Sequence, residues 1–195
     1  MQLIPILDVI TKKQFENLKK LLAYLDTLPS DYEYFDMRVY SCEKRQHLLA
    51  SNVTAGSSPT PGTCNTAGCL AGHGPIAGIK PKTRELWETY VFRVFGANCL
   101  EEYSTQSALF RWLFSGVWGS SPAGVTVGCQ ARRADEFKKA KLRLRYVVET
   151  KTFPMAVNYD DPSEYKMEAL KLTKAYHSAA KSRKVKQNAE VKKHP

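Results

Sequence analysis

Four stretches of this chain place an apolar residue at every third or fourth position, and proline or glycine closes each one. That rhythm belongs to amphipathic helices packed on a shared core, and it leaves little of the chain for a sheet. Thr11 and Gln14 read as a capping box ahead of Phe15, Leu18, Leu22 and Leu25, and Pro29 ends the run. Thr83, just after Pro81, opens a second run with Leu86, Trp87, Tyr90, Val91 and Val94 inward, stopped at Gly96. A third extends from about Ser104 to Phe114 on Ala108, Leu109, Trp112 and Leu113, with Trp118 in the turn beyond as an anchor. Thr126 caps the fourth and longest, whose stripe is Ala131, Ala134, Phe137, Leu144 and Val148. Phe153-Pro154 breaks the chain after it. Only Tyr34 to Tyr40 alternates, with Phe35, Met37 and Val39 on one face, which predicts a short half-buried strand. The expected fold is mainly α, α+β at most. A compact helical domain would occupy residues 1–150, and 151–195 would add a basic helix (about 162–180) and a disordered, Lys-rich tail.

A chain of 195 residues with 43% apolar content is large enough to bury a real core. No run of roughly eighteen apolar residues suggests a membrane span. The first residues lack a basic stretch and meet Asp8 too early for a secretory leader. Five scattered cysteines, at 42, 64, 69, 99 and 129, make no disulfide framework. A reducing cytoplasm is therefore the expected location.

Net charge is +10, and its placement says more than its size. Residues 132–151 carry eight Lys/Arg against three Asp/Glu, residues 162–195 carry nine against three, and the remainder comes to −1. A polyanion partner, DNA or RNA, is the expectation that follows. Its contacts would be Arg132, Arg133, Lys138, Lys139, Lys141, Arg143 and Arg145 on the long helix, with Lys181, Arg183, Lys184 and Lys186 in the tail. The plainer alternative is a basic surface that only keeps the protein soluble. Tyr32, Tyr34, Tyr40, Trp87, Trp112 and Trp118 offer a stacking surface for bases, or simply core.

Chemistry-bearing residues concentrate in Cys64-Asn-Thr-Ala-Gly-Cys-Leu-Ala-Gly-His73, behind a Gly/Ser/Thr/Pro loop at 51–63. A helix beginning near Thr66 would stack Cys69 and His73 on one face, with Cys64 just before it. Three readings stay open. Zinc would take Cys64, Cys69 and His73, with a fourth ligand from Cys42, His47, Cys99 or Cys129. A catalytic thiolate at Cys64 or Cys69 would use the helix N-terminus, with His73 as base and Asn65 or Asp36 orienting it. Or the small residues let the segment pack closely, with His73 bonded to a backbone carbonyl.

Phe35-Asp36-Met37, Cys64 to His73, Leu113-Phe114…Trp118 and Thr126 to Arg133 form a series. In that order they resemble a family of small tailed-bacteriophage and prophage proteins with a Cys-x-Thr-x-x-Cys-x-x-Gly-His segment. The likeness spans roughly residues 10–148, and Asn65 stands where that family's pattern has glycine. It implies a phage origin and no particular mechanism. The expected function is thus a non-enzymatic phage accessory protein in the host cytoplasm, touching nucleic acid through its basic C-terminal region. Two other classes stand beside it: a small cysteine hydrolase or zinc-dependent enzyme centred on Cys64, Cys69 and His73, and an inhibitor that binds a host protein.

Overall fold

A computed structural model describes residues 2–32, 35, 41–43, 66–98, 104–114 and 129–155, with backbone alone at 41–43, 66–68 and 129–135. In chain order the elements are β1 (Gln2–Pro5), a 3-10 turn (Ile6–Asp8), α1 (Lys12–Thr27), β2 (Ser41–Glu43), β3 (Thr66–Gly68), α2 (Trp87–Phe95), α3 (Thr105–Phe114), α4 (Cys129–Thr150) and β4 (Thr152–Met155). The described chain is mainly α, and its strands form two antiparallel pairs, β1 with β4 and β2 with β3.

α1 begins as the capping box requires. The Gln14 backbone N–H donates to Thr11 Oγ1 at 3.2 Å, and the Thr11 N–H donates to Gln14 Oε1 at 2.9 Å. Phe15, Leu18, Leu21, Leu22 and Leu25 form its buried face. Its polar flank closes another helix: Gln14 Nε2 donates to the carbonyls of Phe92 and Arg93, and Asn17 Nδ2 to that of Val94. All three carbonyls lie in the last turn of α2, and those of Arg93 and Val94 have no partner within the helix. Gly96 completes that end at φ 72°, and its N–H bonds the Phe92 carbonyl at 2.8 Å. A Cβ on Gly96 would collide with Ile10, so the junction needs glycine for both conformation and space.

Two predicted helix starts are corrected. α2 opens at Trp87 instead of Thr83, because Arg84 adopts φ 58° and the Glu85 carboxylate turns back to accept from the Lys82 N–H. Thr66 opens no helix at all: Thr66–Gly68 is a strand paired with Ser41–Glu43. With glycines at 68 and 72 the segment has poor helix propensity, and cross-strand pairing prevails. The Phe153-Pro154 break is likewise a strand. β4 pairs with β1 in the register Leu3↔Pro154 and Ile4↔Phe153, and Phe153 is fully buried. Proline is tolerated there because each strand of a two-stranded sheet is an edge. The packed unit therefore runs at least to Met155, beyond the expected boundary at 150. The strand expected over 34–40 lies outside the described residues except for Phe35, which is buried. The 51–63 loop, Trp118, Thr126, the 162–180 helix and the tail also lie outside them. Among the described residues no helix is long and apolar enough to cross a membrane.

Candidate functional site

β3 delivers the chain into a succession of tight turns from Leu70 to Gly78 that bury Cys69, Leu70, Ala71 and His73. The turns close on themselves: the N–H groups of His73, Gly74, Ala77 and Ile79 donate to the carbonyls of Cys69, Ala71, His73 and Gly74. Gly74 is obligatory, since a Cβ there would strike the Tyr90 hydroxyl, which donates to the Ile79 carbonyl at 2.7 Å.

His73 is fully buried at the centre of this arrangement. Its Nδ1 lies 2.8 Å from the Cys69 carbonyl and its Nε2 3.2 Å from the Tyr32 hydroxyl. A carbonyl only accepts, so Nδ1 carries the proton and Nε2 accepts from Tyr32. The Cys69 carbonyl thus receives both the backbone N–H and the ring N–H of the same histidine. Tyr24, Tyr32 and Phe35 surround the imidazole, with ring centroids 6.2, 5.5 and 5.6 Å away. Phe137 of α4 packs at a steep tilt against Tyr32 and Phe35, with ring centroids 5.4 Å away in both cases. Burial lowers the His73 pKa to about 4, against the opposing pull of the Cys69 carbonyl. The ring is therefore neutral at ordinary pH, and among the described residues the groups around it are the Tyr24, Tyr32 and Phe35 rings and the Cys69 carbonyl.

This geometry bears directly on the zinc and thiolate readings. A histidine ligand must give a ring-nitrogen lone pair to the metal, yet here Nδ1 holds the proton and the Nε2 lone pair accepts from Tyr32. No group of three or more His, Cys, Asp or Glu able to hold a metal occurs among the described residues. Cys64, His47 and Cys99 lie outside those residues, and Cys42 and Cys129 are described by backbone only. Cys69 is 2% exposed, and its side chain has no open approach for a substrate. As arranged, Cys69 and His73 can join a turn to α1 and α4, and their surroundings suit packing better than catalysis.

The basic residues on α4 divide into two groups. Arg143 is 2% exposed, and its Nε donates to the Trp112 carbonyl at 2.8 Å near the end of α3. Its expected place on a nucleic-acid face is corrected: position 143 shares the inward side of α4 with Ala140, Leu144 and Val147. Lys141 donates to the Leu25 carbonyl, pairs with Asp26 at 3.0 Å and lies over the Phe137 ring. Arg145 pairs with the same Asp26 and reaches Glu149 at 3.8 Å. Lys138 is exposed and Lys139 half-buried. Arg132 and Arg133 are placed by backbone only, and Lys181, Arg183, Lys184 and Lys186 lie outside the described residues. Tyr32, Trp87 and Trp112 are buried and cannot form a base-stacking surface. Asp26 and the aromatic cage escaped sequence reasoning, because the pairs Asp26–Lys141 and Tyr32–His73 join residues far apart in the chain.

Comparisons with protein-family models, curated proteins and solved structures find no match to this chain.

Proposed function

We propose that this is a non-enzymatic accessory protein of phage origin whose basic C-terminal region contacts nucleic acid in the host cytoplasm. The phage origin rests on the motif resemblance alone. The nucleic-acid contact rests on one observation: residues 162–195 carry the largest block of net positive charge, while Lys141, Arg143 and Arg145 of the other basic block are engaged within the fold. Residues 162–195, with nine Lys/Arg against three Asp/Glu, have the composition to track a phosphate backbone by releasing counterions. The hydrogen bonding of His73 supports a structural role for the Cys69–His73 turn and favours no enzymatic alternative.

Binding of the full chain to duplex and single-stranded DNA should depend weakly on sequence and steeply on salt. With six or more phosphate contacts, affinity falls by roughly a thousandfold between about 50 and 200 mM salt. A chain ending at Asp161 should lose most of this binding. Absence of binding near 50 mM salt would remove nucleic acid as the partner, and equal binding by the shortened chain would move the contact into the folded unit.

A further inference from the structure

A second run of positive charge lies in the folded unit itself, where the overall charge balance hides it. From 44 to 84 the chain has no Asp or Glu and five Lys/Arg, ending in Lys80-Pro-Lys82-Thr-Arg84. Lys80, Lys82 and Arg84 are all exposed. Several other cations of the described unit meet acids: Lys19 pairs with Glu16, Arg93 with Glu85, and Lys141 and Arg145 with Asp26, while Lys12, Lys13 and Lys20 stand exposed along α1. No ion pair among the described residues involves Lys80, Lys82 or Arg84.

The nearest carboxylate in the chain is already committed. Glu85 is buried, with Oε1 accepting from Arg93 Nε at 2.5 Å and Oε2 from Arg93 Nη2 at 2.6 Å and from the Lys82 N–H at 2.8 Å. That arrangement leaves the carboxylate facing inward and at the same time fixes the loop. Arg93 Nη2 also donates to the Lys80 carbonyl, the Glu85 N–H returns to the Lys82 carbonyl, and Tyr90 holds the Ile79 carbonyl. Arg84 completes the loop in the left-handed region at φ 58°, which a non-glycine residue adopts only when its surroundings impose it. Three unpaired cations therefore project from a backbone pinned at both ends, so little loop ordering remains to oppose binding.

We infer that the Lys80–Arg84 loop is a second phosphate-contacting surface, a fixed platform that engages the nucleic-acid backbone in addition to the basic C-terminal segment. The inference rests on the nucleic-acid reading above. It adds a contact of defined position to a segment whose own contact is purely compositional. Exposed cations on a fixed backbone suit phosphate oxygens, whose recognition needs charge and no base readout.

The test uses the full chain throughout, with fluorescence anisotropy on a labelled duplex across a salt series. Three variants are compared with the wild type: K80Q/K82Q/R84Q, the tail variant K181Q/R183Q/K184Q/K186Q, and K12Q/K13Q/K20Q, which removes three exposed charges from α1. The loop variant should bind at least about tenfold more weakly near 100 mM salt, with a log–log salt slope shallower by roughly 2 to 3. The α1 variant should change far less. Equal losses in the loop and α1 variants would reduce the effect to net charge and overturn the inference, as would a loop variant that binds like the wild type. If the loop variant fails while the tail variant binds normally, the loop stands and the tail reading falls. A wild type that binds no duplex would end both.

Discussion

His73 stores a pH dependence that its surroundings make readable. The folded state keeps the imidazole neutral with a pKa of about 4, whereas the unfolded chain returns it to its ordinary value of 6.5. Between those values the unfolded state binds the extra proton, so stability rises with pH across the window. The contribution is complete above pH 6.5 and drains away as pH falls toward 4, amounting to about 2 kcal/mol by pH 5. The neighbouring groups, Tyr24, Tyr32, Phe35 and the Cys69 carbonyl, carry no charge that would offset it. Glu85 acts in the opposite part of the range. Its pairing with Arg93 holds the carboxyl below its usual value, and that share is lost only under more acidic conditions. Urea unfolding at pH 8 and pH 5 should therefore show a decline for the wild type that His73→Gln largely abolishes. Equal pH slopes in the two proteins would remove His73 as its source.

At the scale of elements, the joint between α1 and α2 carries the sharpest expectation. Gly96 takes a left-handed conformation against Ile10, and Gln14 and Asn17 cap the carbonyls just before it. Gly96→Ala should cost about 1–3 kcal/mol from backbone strain and from displacement of Ile10. Thr11→Ala, which removes one half of the capping box, should cost about 1 kcal/mol. Thermal melts of the two variants check both; a Gly96→Ala protein as stable as the wild type would mean the joint relaxes freely. These features were legible in the sequence because their causes are local: a Thr and a Gln three apart, a Gly after an apolar run. The strands were not legible. β1 and β2 span four and three residues, and they exist through partners in β4 and β3 that no local pattern announces. The candidate site was half legible. Sequence spacing brought Cys69 and His73 four apart, but the connection is a turn and not a helix, because glycines at 68 and 72 weaken the helix. Arg143 was misplaced for a different reason: a basic residue is assigned to the surface by default, and the carbonyl at the end of α3 that draws it inward belongs to another element.

The whole molecule closes where its first and last described strands meet. β1 pairs with β4 from Gln2↔Met155 to Pro5↔Thr152, and the Ile6 N–H adds a bond to the Lys151 carbonyl at 2.8 Å. Phe153, carried into the core by that ladder, is fully buried with Ile6 close by in sequence to the partner strand. Asp26 fastens the opposite end of α1 to α4 through Lys141 and Arg145. α1 is therefore tied to the α4–β4 region near both of its own ends, and removing β4 should loosen the unit from the C-terminal end of α4 inward. Residues 162–195 have mainly Met167, Leu170 and Tyr176 to bury, which is too little to hold the core. A chain ending at Asp161 should melt near the full-length temperature. A chain ending at Thr150 loses the ladder and the burial of Phe153, a cost of roughly 3–5 kcal/mol by analogy with large-to-small core substitutions. Its melting temperature should fall by on the order of 10 °C. Calorimetry of the three chains separates the outcomes: if the Thr150 truncation melts with the other two, the β1–β4 pair contributes nothing to closure. If the Asp161 truncation falls as well, the C-terminal segment packs on the core, and the salt dependence of its nucleic-acid binding must be measured on the intact chain alone.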